Sequence, residues 1–220
     1  MSTGPKQALF AEFAAVARAL GHPHRLEIVE HLAQGERAVE KVADCVGLSV
    51  ANASQHLQIL KKAGLVQSRR DGRFIFYSLA DETVLALLAQ LRQIAERNSA
   101  EVDRIVRNYF AARDHMEPVT REQLLQRLHD GLVTVLDVRP ADEFAAGHVA
   151  GALNIPSGEL ELRLADLDRE LEIVAYCRGA YCVLSFEAVA ALRGRGYRVR
   201  RLEDGFPEWR AAGLPVAGCA

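Results

Sequence analysis

The sequence predicts two domains of different class, an all-α N-terminal half completed by a β-hairpin and a C-terminal α/β half built on a parallel sheet. Three observations carry this. Apolar residues recur at helical spacing from about Gln7 to Ala63; an Asp71-Gly72 pair separates two β-prone runs; and beyond Pro118 short apolar strands alternate with amphipathic helices.

At 220 residues, with 50% hydrophobic and 25% charged residues, the chain is long enough to bury a sizeable core in one or two domains. No stretch approaches the ~18 to 20 apolar residues that a membrane span needs, and the first residues lack the basic-then-apolar pattern of a secretory signal. The expectation is a cytoplasmic protein with no membrane partner. The four cysteines, Cys45, Cys177, Cys182 and Cys219, are too few and too unevenly placed for a disulfide scaffold, so catalytic, redox or metal-linked chemistry is the expectation for them. Cys219, one residue from the chain end, reads as an uninvolved thiol. A formal net charge of -2 does not by itself announce nucleic acid; a DNA partner requires a local basic patch.

In order along the chain, Leu9, Phe13, Val16 and Leu20 mark a helix over about Gln7 to Leu20, and Leu26, Ile28, Val29 and Leu32 mark a second from Pro23 to Ala33, ended by Gly35. A short third helix over about Val39 to Val46 stops at Gly47. Ser49 then caps a fourth that runs to about Ala63. Two helices joined by a tight glycine-containing turn make a helix-turn-helix. The runs on either side of Asp71-Gly72, from Leu65 to Leu79, form a hairpin whose type I′ turn takes positive φ twice; this hairpin is a wing. A long helix over about Asp81 to Ala112 follows, with apolar positions Val84, Leu87, Leu88, Leu91, Ile94, Val102, Ile105, Val106 and Tyr109. Its stripe exceeds what so small a domain covers, which points to a homodimer; packing on the first helix of the same chain is the alternative. Residues 1–112 are thus expected to form the DNA-binding and dimerisation domain, 113–118 a linker and 119–220 the second domain.

A recognition helix buries one face and offers hydrogen-bonding side chains to the major groove from the other. In the fourth helix Ala53, Leu57 and Leu60 share one face, leaving Asn52, Ser54, Gln55, His56 and Gln58 available, with Asn52 and Gln55 suited to bidentate contact with adenine. A solvated polar face is the alternative reading. The flanking charge decides between them: Lys61, Lys62, Arg69, Arg70 and Arg73 lie in a window holding one acid, Asp71, and the hairpin carries the three arginines to the wing. Double-stranded operator DNA is the expected partner.

Through Ala19-Leu20-Gly21-His22-Pro23-His24-Arg25-Leu26, Ser49-Val50-Ala51-Asn52-Ala53-Ser54-Gln55-His56-Leu57 and Lys62-Ala63-Gly64-Leu65-Val66, the segment from Phe10 to Leu79 resembles the ArsR family of winged-helix repressors. The resemblance implies a dimeric repressor that leaves DNA when an inducer binds. Many members sense metals through paired cysteines on the third helix or His and Asp ligands on the last. Here the third helix holds only Cys45, and no histidine lies between Asp81 and Ala112, so a metal- or arsenic-responsive repressor is the lesser alternative and no metal site or cofactor is expected. Cys45 reads as a small buried hydrophobe, with thiol sensing as the minority reading.

The second half gives helices near Arg121–His129, Asp142–Ala146, Leu160–Leu167 and Val183–Gly194, strands near Val133–Val138, Ala152–Asn154, Ile173–Tyr176 and Arg198–Leu202, and a final turn over Phe206–Ala212. Cys177 directly follows a strand and precedes a helix, so the loop Cys177-Arg178-Gly179-Ala180-Tyr181-Cys182 is expected to aim backbone N–H groups and the helix dipole at its sulfur, with Arg178 adding positive charge. A cysteine that merely packs at a strand end is the competing reading.

The pattern Leu136-Asp137-Val138-Arg139-Pro140, Glu143 to Ala152, Asn154-Ile155-Pro156, the Cys177 loop and Leu202 to Trp209 resembles a rhodanese domain over about Val119 to Val216. The resemblance implies an α/β fold in which Cys177 is the nucleophile that carries a sulfane sulfur as a persulfide, taken from a donor such as thiosulfate or polysulfide. Asp137 and Arg139 read as architectural. Gly179 stands one place early and Cys182 stands where a hydroxyl residue or arginine is common, a departure that argues against ordinary thiosulfate turnover. Cys182 is instead a candidate resolving thiol, closing a disulfide with Cys177. A phosphatase-type or arsenate-reductase loop is disfavoured, because the sixth residue after Cys177 is Val183 rather than an oxyanion-gripping arginine. The expectation is a DNA-binding repressor that responds to reactive sulfur or redox state; the alternative is a sulfurtransferase with a DNA-targeting module.

Overall fold

His22 and Arg25 set how the first two helices meet. α1 (Pro5–Leu20) stops at Gly21, and the His22 imidazole caps α2 (Pro23–Leu32) by accepting from the His24 backbone N–H at 3.2 Å, with Pro23 at the first helical position where no N–H is needed. The buried Arg25 reaches back and donates to the carbonyls of Ala19 and Arg18, satisfying oxygens that the end of α1 leaves open. The computed structural model describes residues 4–111, 113–114 and 116–218; Cys219 lies outside the described residues. The chain divides into two compact units, residues 1–91 and 92–220.

In the first unit, β1 (Arg37–Ala38), α3 (Val39–Cys45) and α4 (Val50–Lys62) follow, α4 being capped by the Ser49 hydroxyl, which accepts from the Asn52 N–H. β2 (Val66–Asp71) and β3 (Phe74–Leu79) form the hairpin, and β1 adds to β3 to give a three-stranded sheet, a strand too short for periodicity to reveal. Asp71 pairs with Phe74, so the two-residue loop is Gly72-Arg73, with positive φ at Gly72 only. That sign pattern belongs to a type II′ turn, correcting the expected type I′: glycine takes the one position that demands positive φ, and Asp71 is left in the strand. Ile28, Val29, Val42, Leu57, Leu60 and Tyr77 meet in the core. α5 (Thr83–Asn98) joins it through Val84, with Leu88 packed against it.

The single helix expected over Asp81 to Ala112 is instead broken at Ser99. Asn98 turns its amide onto the Ile94 carbonyl, and Ser99 is extended at φ -106° and caps α6 (Ala100–Ile105) through the Val102 N–H; a π-helical turn, Val106–Ala111, follows. Asn and Ser side chains compete with the backbone for its own hydrogen bonds, and here they do so where the apolar stripe has a gap, between Ile94 and Val102.

The second unit is built on four parallel strands in the order β6-β4-β7-β8: β4 (Val133–Asp137), β6 (Leu153–Asn154), β7 (Glu172–Tyr176) and β8 (Val199–Arg201). Alternate residues of β7 face opposite cores. Ile173 and Ala175 pack with Leu136, Val189 and Leu192 of α9 (Val183–Gly194), whereas Val174 and Tyr176 pack with Leu124 of α7 (Arg121–His129) and with Phe206 and Trp209 of α10 (Phe206–Ala211). α8 (Ala141–Ala146) leads into β5 (His148–Val149), which pairs with β9 (Val216–Ala217) in a small antiparallel ribbon. The helix expected over Leu160 to Leu167 is two 3₁₀ turns, Ser157–Leu162 and Leu164–Asp166; the tighter winding brings Leu160, Leu164 and Leu167 to the core while the Tyr197 hydroxyl holds the Leu164 carbonyl. Among the described residues no helix is long and apolar enough to cross a membrane.

A fully buried ion pair closes the C-terminal end of this sheet. Arg139 grips Asp137 with Nε and Nη2 (2.6 to 3.1 Å) and donates to the Gly147 carbonyl, while Asp137 also accepts from the Tyr176 hydroxyl. Burial and the neighbouring carboxylate push the Tyr176 phenol far up, so it stays a donor. Glycine is needed at Gly205, where an added Cβ would overlap the backbone of Arg178 and Gly179; the adjacent Phe206 N–H donates to the Cys177 carbonyl at 3.0 Å.

Removing one partner of the buried pair, as in Asp137→Ala, is expected to cost about 3–5 kcal/mol in denaturant unfolding of the full chain. The double variant Asp137→Ala/Arg139→Met should recover much of that loss. Gly205→Ala is expected to shift the cysteine loop, at a cost of about 1–3 kcal/mol, and to stop Cys177 and Cys182 from pairing, read by mass after maleimide labelling of the oxidised protein.

Candidate DNA interface and cysteine loop

α4 turns Ala53, Leu57 and Leu60 fully inward, and this fixes what its other side presents. Asn52 and Gln55 are exposed, as an outward hydrogen-bonding pair would be; Ser54 is half-buried. Gln58 donates its amide to the Tyr77 hydroxyl at 3.0 Å, so it ties α4 to the wing. His56 is half-buried, its ring 4.6 Å from that of His22 and 5.9 Å from that of His24. Burial first, then His22, Arg25 and His24, hold its imidazole below the usual range, and its Nδ1 is buried with no hydrogen-bond partner among the described residues. His56 thus serves the packing of α4 on α2.

The basic patch is assembled, though part of its charge is matched. Lys61 donates to Ser68 at 2.7 Å, linking the end of α4 to β2. Arg69 is held by Glu36 at 2.6 Å and by Asp71 at 3.2 Å and lies over the Phe76 ring. Both partners raise its affinity for the proton. Arg70 bonds the Gly72 carbonyl, Arg73 lies over Phe74, and Lys62 is exposed. Glu36 is the residue that reading the window alone misses, because it sits 33 positions before Arg69 in the chain.

In the second unit Cys177 directly follows β7 and Cys182 stands at the N-cap position of α9; the two are joined in a disulfide with Cα atoms 6.1 Å apart. Cys177 is 1% exposed and Cys182 8%. The field of the α9 N-terminus therefore falls most directly on Cys182, rather than on Cys177 as its place before a helix suggests. Arg178 does not leave a loose charge in the loop: it donates from Nε and Nη2 to the carboxylate of Glu143 at 2.8 to 3.0 Å, and Glu143 is itself almost fully buried. Glu143 belongs to the same rhodanese-like motif, but nothing in its local pattern marks it as a loop partner. Cys45, at the end of α3, is half-buried. Among the described residues no group of three or more His, Cys, Asp or Glu side chains is placed to hold a metal ion.

Residues 20–69 match the model of a helix-turn-helix domain, and residues 120–212 match that of a rhodanese-like domain. An HTH-type transcriptional regulator of Mycobacterium tuberculosis is 46% identical over 211 residues, spanning 96% of this chain and 92% of that protein. A sulfurtransferase of Allochromatium vinosum is 34% identical over 100 residues, 44% of this chain and 92% of that protein. Among solved structures, the homodimeric winged helix-turn-helix DNA-binding domain (fragment 1-100) of a possible ArsR-family regulator of Mycobacterium bovis is 40% identical, with a TM-score of 0.42, covering 46% of this chain and 94% of that one. With 46% identity to such a regulator over 96% of its length, the chain belongs to the HTH-type transcriptional regulators, and it carries a helix-turn-helix domain followed by a rhodanese-like domain.

Proposed function

We propose that this regulator is a cytoplasmic, homodimeric repressor that senses reactive sulfur at Cys177 and Cys182. The observation that carries this reading is the cysteine pair itself: a nucleophile at the rhodanese position bonded to a second thiol five residues on. The Cys177 thiolate attacks a sulfane sulfur of polysulfide or thiosulfate, the S–S bond of the donor breaks, and a shortened polysulfide or sulfite leaves. The Cys182 thiolate then attacks the Sγ of the protonated Cys177 persulfide; hydrosulfide leaves and the disulfide remains. Two equivalents of a small thiol, themselves oxidised to a disulfide, reset the pair.

Dimerisation is supported by an apolar groove of the first unit, 660 Å³ in volume, lined by Phe13, Val16, Leu20, Leu26, Leu87 and Leu91. Phe13 is 62% exposed at its edge, a cost that a second copy removes. Base reading falls to Asn52 and Gln55, the exposed amides of α4, while Lys62, Arg70 and Arg73 contact phosphates. The relative named a sulfurtransferase supports a second role for the domain, sulfur transfer to an external acceptor; this reading differs in requiring Cys177 persulfide to outlive attack by Cys182.

Fluorescence anisotropy with a labelled duplex of the DNA upstream of its own gene, at fixed salt, separates these readings. Polysulfide is expected to weaken binding by wild type about 100-fold and to leave Cys177→Ser unaffected; an equal response in both would move the sensor elsewhere. Gln55→Ala should cost about 1–3 kcal/mol and relax discrimination between operator variants. Lys62→Ala should weaken all duplexes alike and lower the salt slope by about 1.

A further inference from the structure

Arg178 directly follows Cys177, and its guanidinium is taken up by a carboxylate from another element: Nε and Nη2 donate to the two oxygens of Glu143 on α8 at 2.8 to 3.0 Å. Glu143 is almost fully buried and Arg178 mostly so, and solvent screens such a pair little. α8 is itself held in place. It begins after Pro140, next to the buried Arg139, and the Gly147 carbonyl that follows it accepts from Arg139 Nη2 at 2.7 Å. Elsewhere the loop rests on Gly205, Phe206 donates its N–H to the Cys177 carbonyl, and the Cys182 N–H donates to the Gly179 carbonyl at 3.1 Å. The other charges around the loop also have partners. Asp137 is paired with Arg139, Asp204 beside Gly205 with Arg121 at 3.1 Å, and Glu208 accepts the Gly205 N–H. The N-terminus of α9 adds a partial positive charge, which Cys182 at the N-cap position meets first.

We propose that Glu143 is a positioning residue that withholds the charge of Arg178 from the Cys177 sulfur and so sets the acidity of that thiol. An unmatched guanidinium beside a thiol favours the thiolate. Matched by a carboxylate at 2.8 Å, it presents a dipole, whose field falls away faster than that of a single charge. The inference rests on the sulfur-sensing reading for its consequence, which concerns the fate of the persulfide. With Glu143 in place the Cys177 persulfide keeps its proton, and the Cys182 thiolate meets a neutral sulfur. The Sγ–Sγ bond forms, the bond from Cys177 Sγ to the outer sulfur breaks, and that sulfur leaves with its proton as hydrosulfide. With Arg178 unmatched the persulfide is held as an anion, which repels the incoming thiolate and would have to expel sulfide as a dianion. Glu143 thereby directs the sulfur on Cys177 towards closure of the disulfide rather than transfer to an acceptor.

The test reads the thiol directly, without DNA. Full-length protein carrying Cys182→Ser, reduced with dithiothreitol and then freed of it, is alkylated with iodoacetamide across a pH series, and Cys177 is followed by peptide mass. The midpoint of rate against pH reports its acidity. Relative to this reference, Glu143→Gln, which keeps an acceptor oxygen and loses the charge, should lower the midpoint enough to raise the thiolate fraction near neutral pH about tenfold. Arg178→Gln should raise the midpoint. The double variant Glu143→Gln/Arg178→Gln, neutral like the intact pair, should return it to the reference. A merely structural role would leave the double variant at least as displaced as either single one. An unchanged midpoint in Glu143→Gln overturns the proposal, as does a double variant that matches Arg178→Gln. Should Glu143→Gln fail to fold, that second comparison decides alone. Polysulfide given to the same proteins should add one sulfur to Cys177; no added sulfur in any of them overturns the sulfur-sensing reading and leaves the effect of Glu143 on the thiol standing.

Discussion

The buried Asp137–Arg139 pair is the constraint from which the cysteine site takes its shape. Two charges with no exposure are expensive to desolvate, and well-packed apolar residues would serve stability as well or better. What the pair supplies is direction. Arg139 gathers the end of β4 and the Gly147 carbonyl, Asp137 takes the Tyr176 hydroxyl, that same oxygen accepts the Val149 N–H, and the Asn154 amide donates to the carbonyls of both Asp137 and Arg139. The ends of β4, β6 and β7 are thereby tied together, and that of β7, Tyr176, stands one residue before Cys177. The Arg139 guanidinium also lies 4.4 Å from the centre of the Phe206 ring, and Phe206 holds the Cys177 carbonyl, so the network reaches the loop from both sides.

The winged-helix half is organised by weaker contacts of the same kind. Leu57 and Leu60 set the rotation of α4, and Tyr77, fully buried, lends its hydroxyl to Gln58 so that helix and wing move as one piece. The charge of the wing is less than its arginines suggest, because Glu36 and Asp71 share Arg69. Exposed pairs of this sort contribute about 0–1 kcal/mol each to stability. Their consequence is electrostatic: a phosphate approaching Arg69 must compete with two carboxylates already in place, whereas Lys62 offers its charge from an exposed position.

Elements with a strong period and a clear stop were legible in the sequence. α7 and α9 fall on the expected residues because Thr120 and Gln123 form a reciprocal cap on one and a strand-loop boundary precedes the other. The parallel sheet followed from alternation alone. What escaped were features decided by partners distant in sequence: β1, which exists only by pairing with β3; the β5–β9 ribbon; Glu36 beside Arg69; and Glu143 beneath Arg178. The break at Ser99 falls among the seven residues between the apolar positions Ile94 and Val102, a stretch short enough for a helix to bridge unless side chains compete for its backbone. Within the cysteine loop both thiols could be singled out by spacing.

The same geometry that favours a switch opposes turnover. A sulfurtransferase needs its persulfide to wait for an external acceptor that arrives by diffusion, at the concentration the solution provides. Cys182 is already present at 6.1 Å between Cα atoms, in a loop pinned at Gly205 and Arg178 and at a helix N-terminus that favours the thiolate. Well-oriented intramolecular groups react with effective molarities of order 10⁵ M or more, far above any acceptor pool. On the sulfur-sensing reading, even a small fraction of that advantage makes internal closure the faster fate of a persulfide on Cys177. On that reading, the second thiol exchanges sulfur transfer for a lasting change of loop shape, and a lasting change is what a DNA-binding partner domain is able to read.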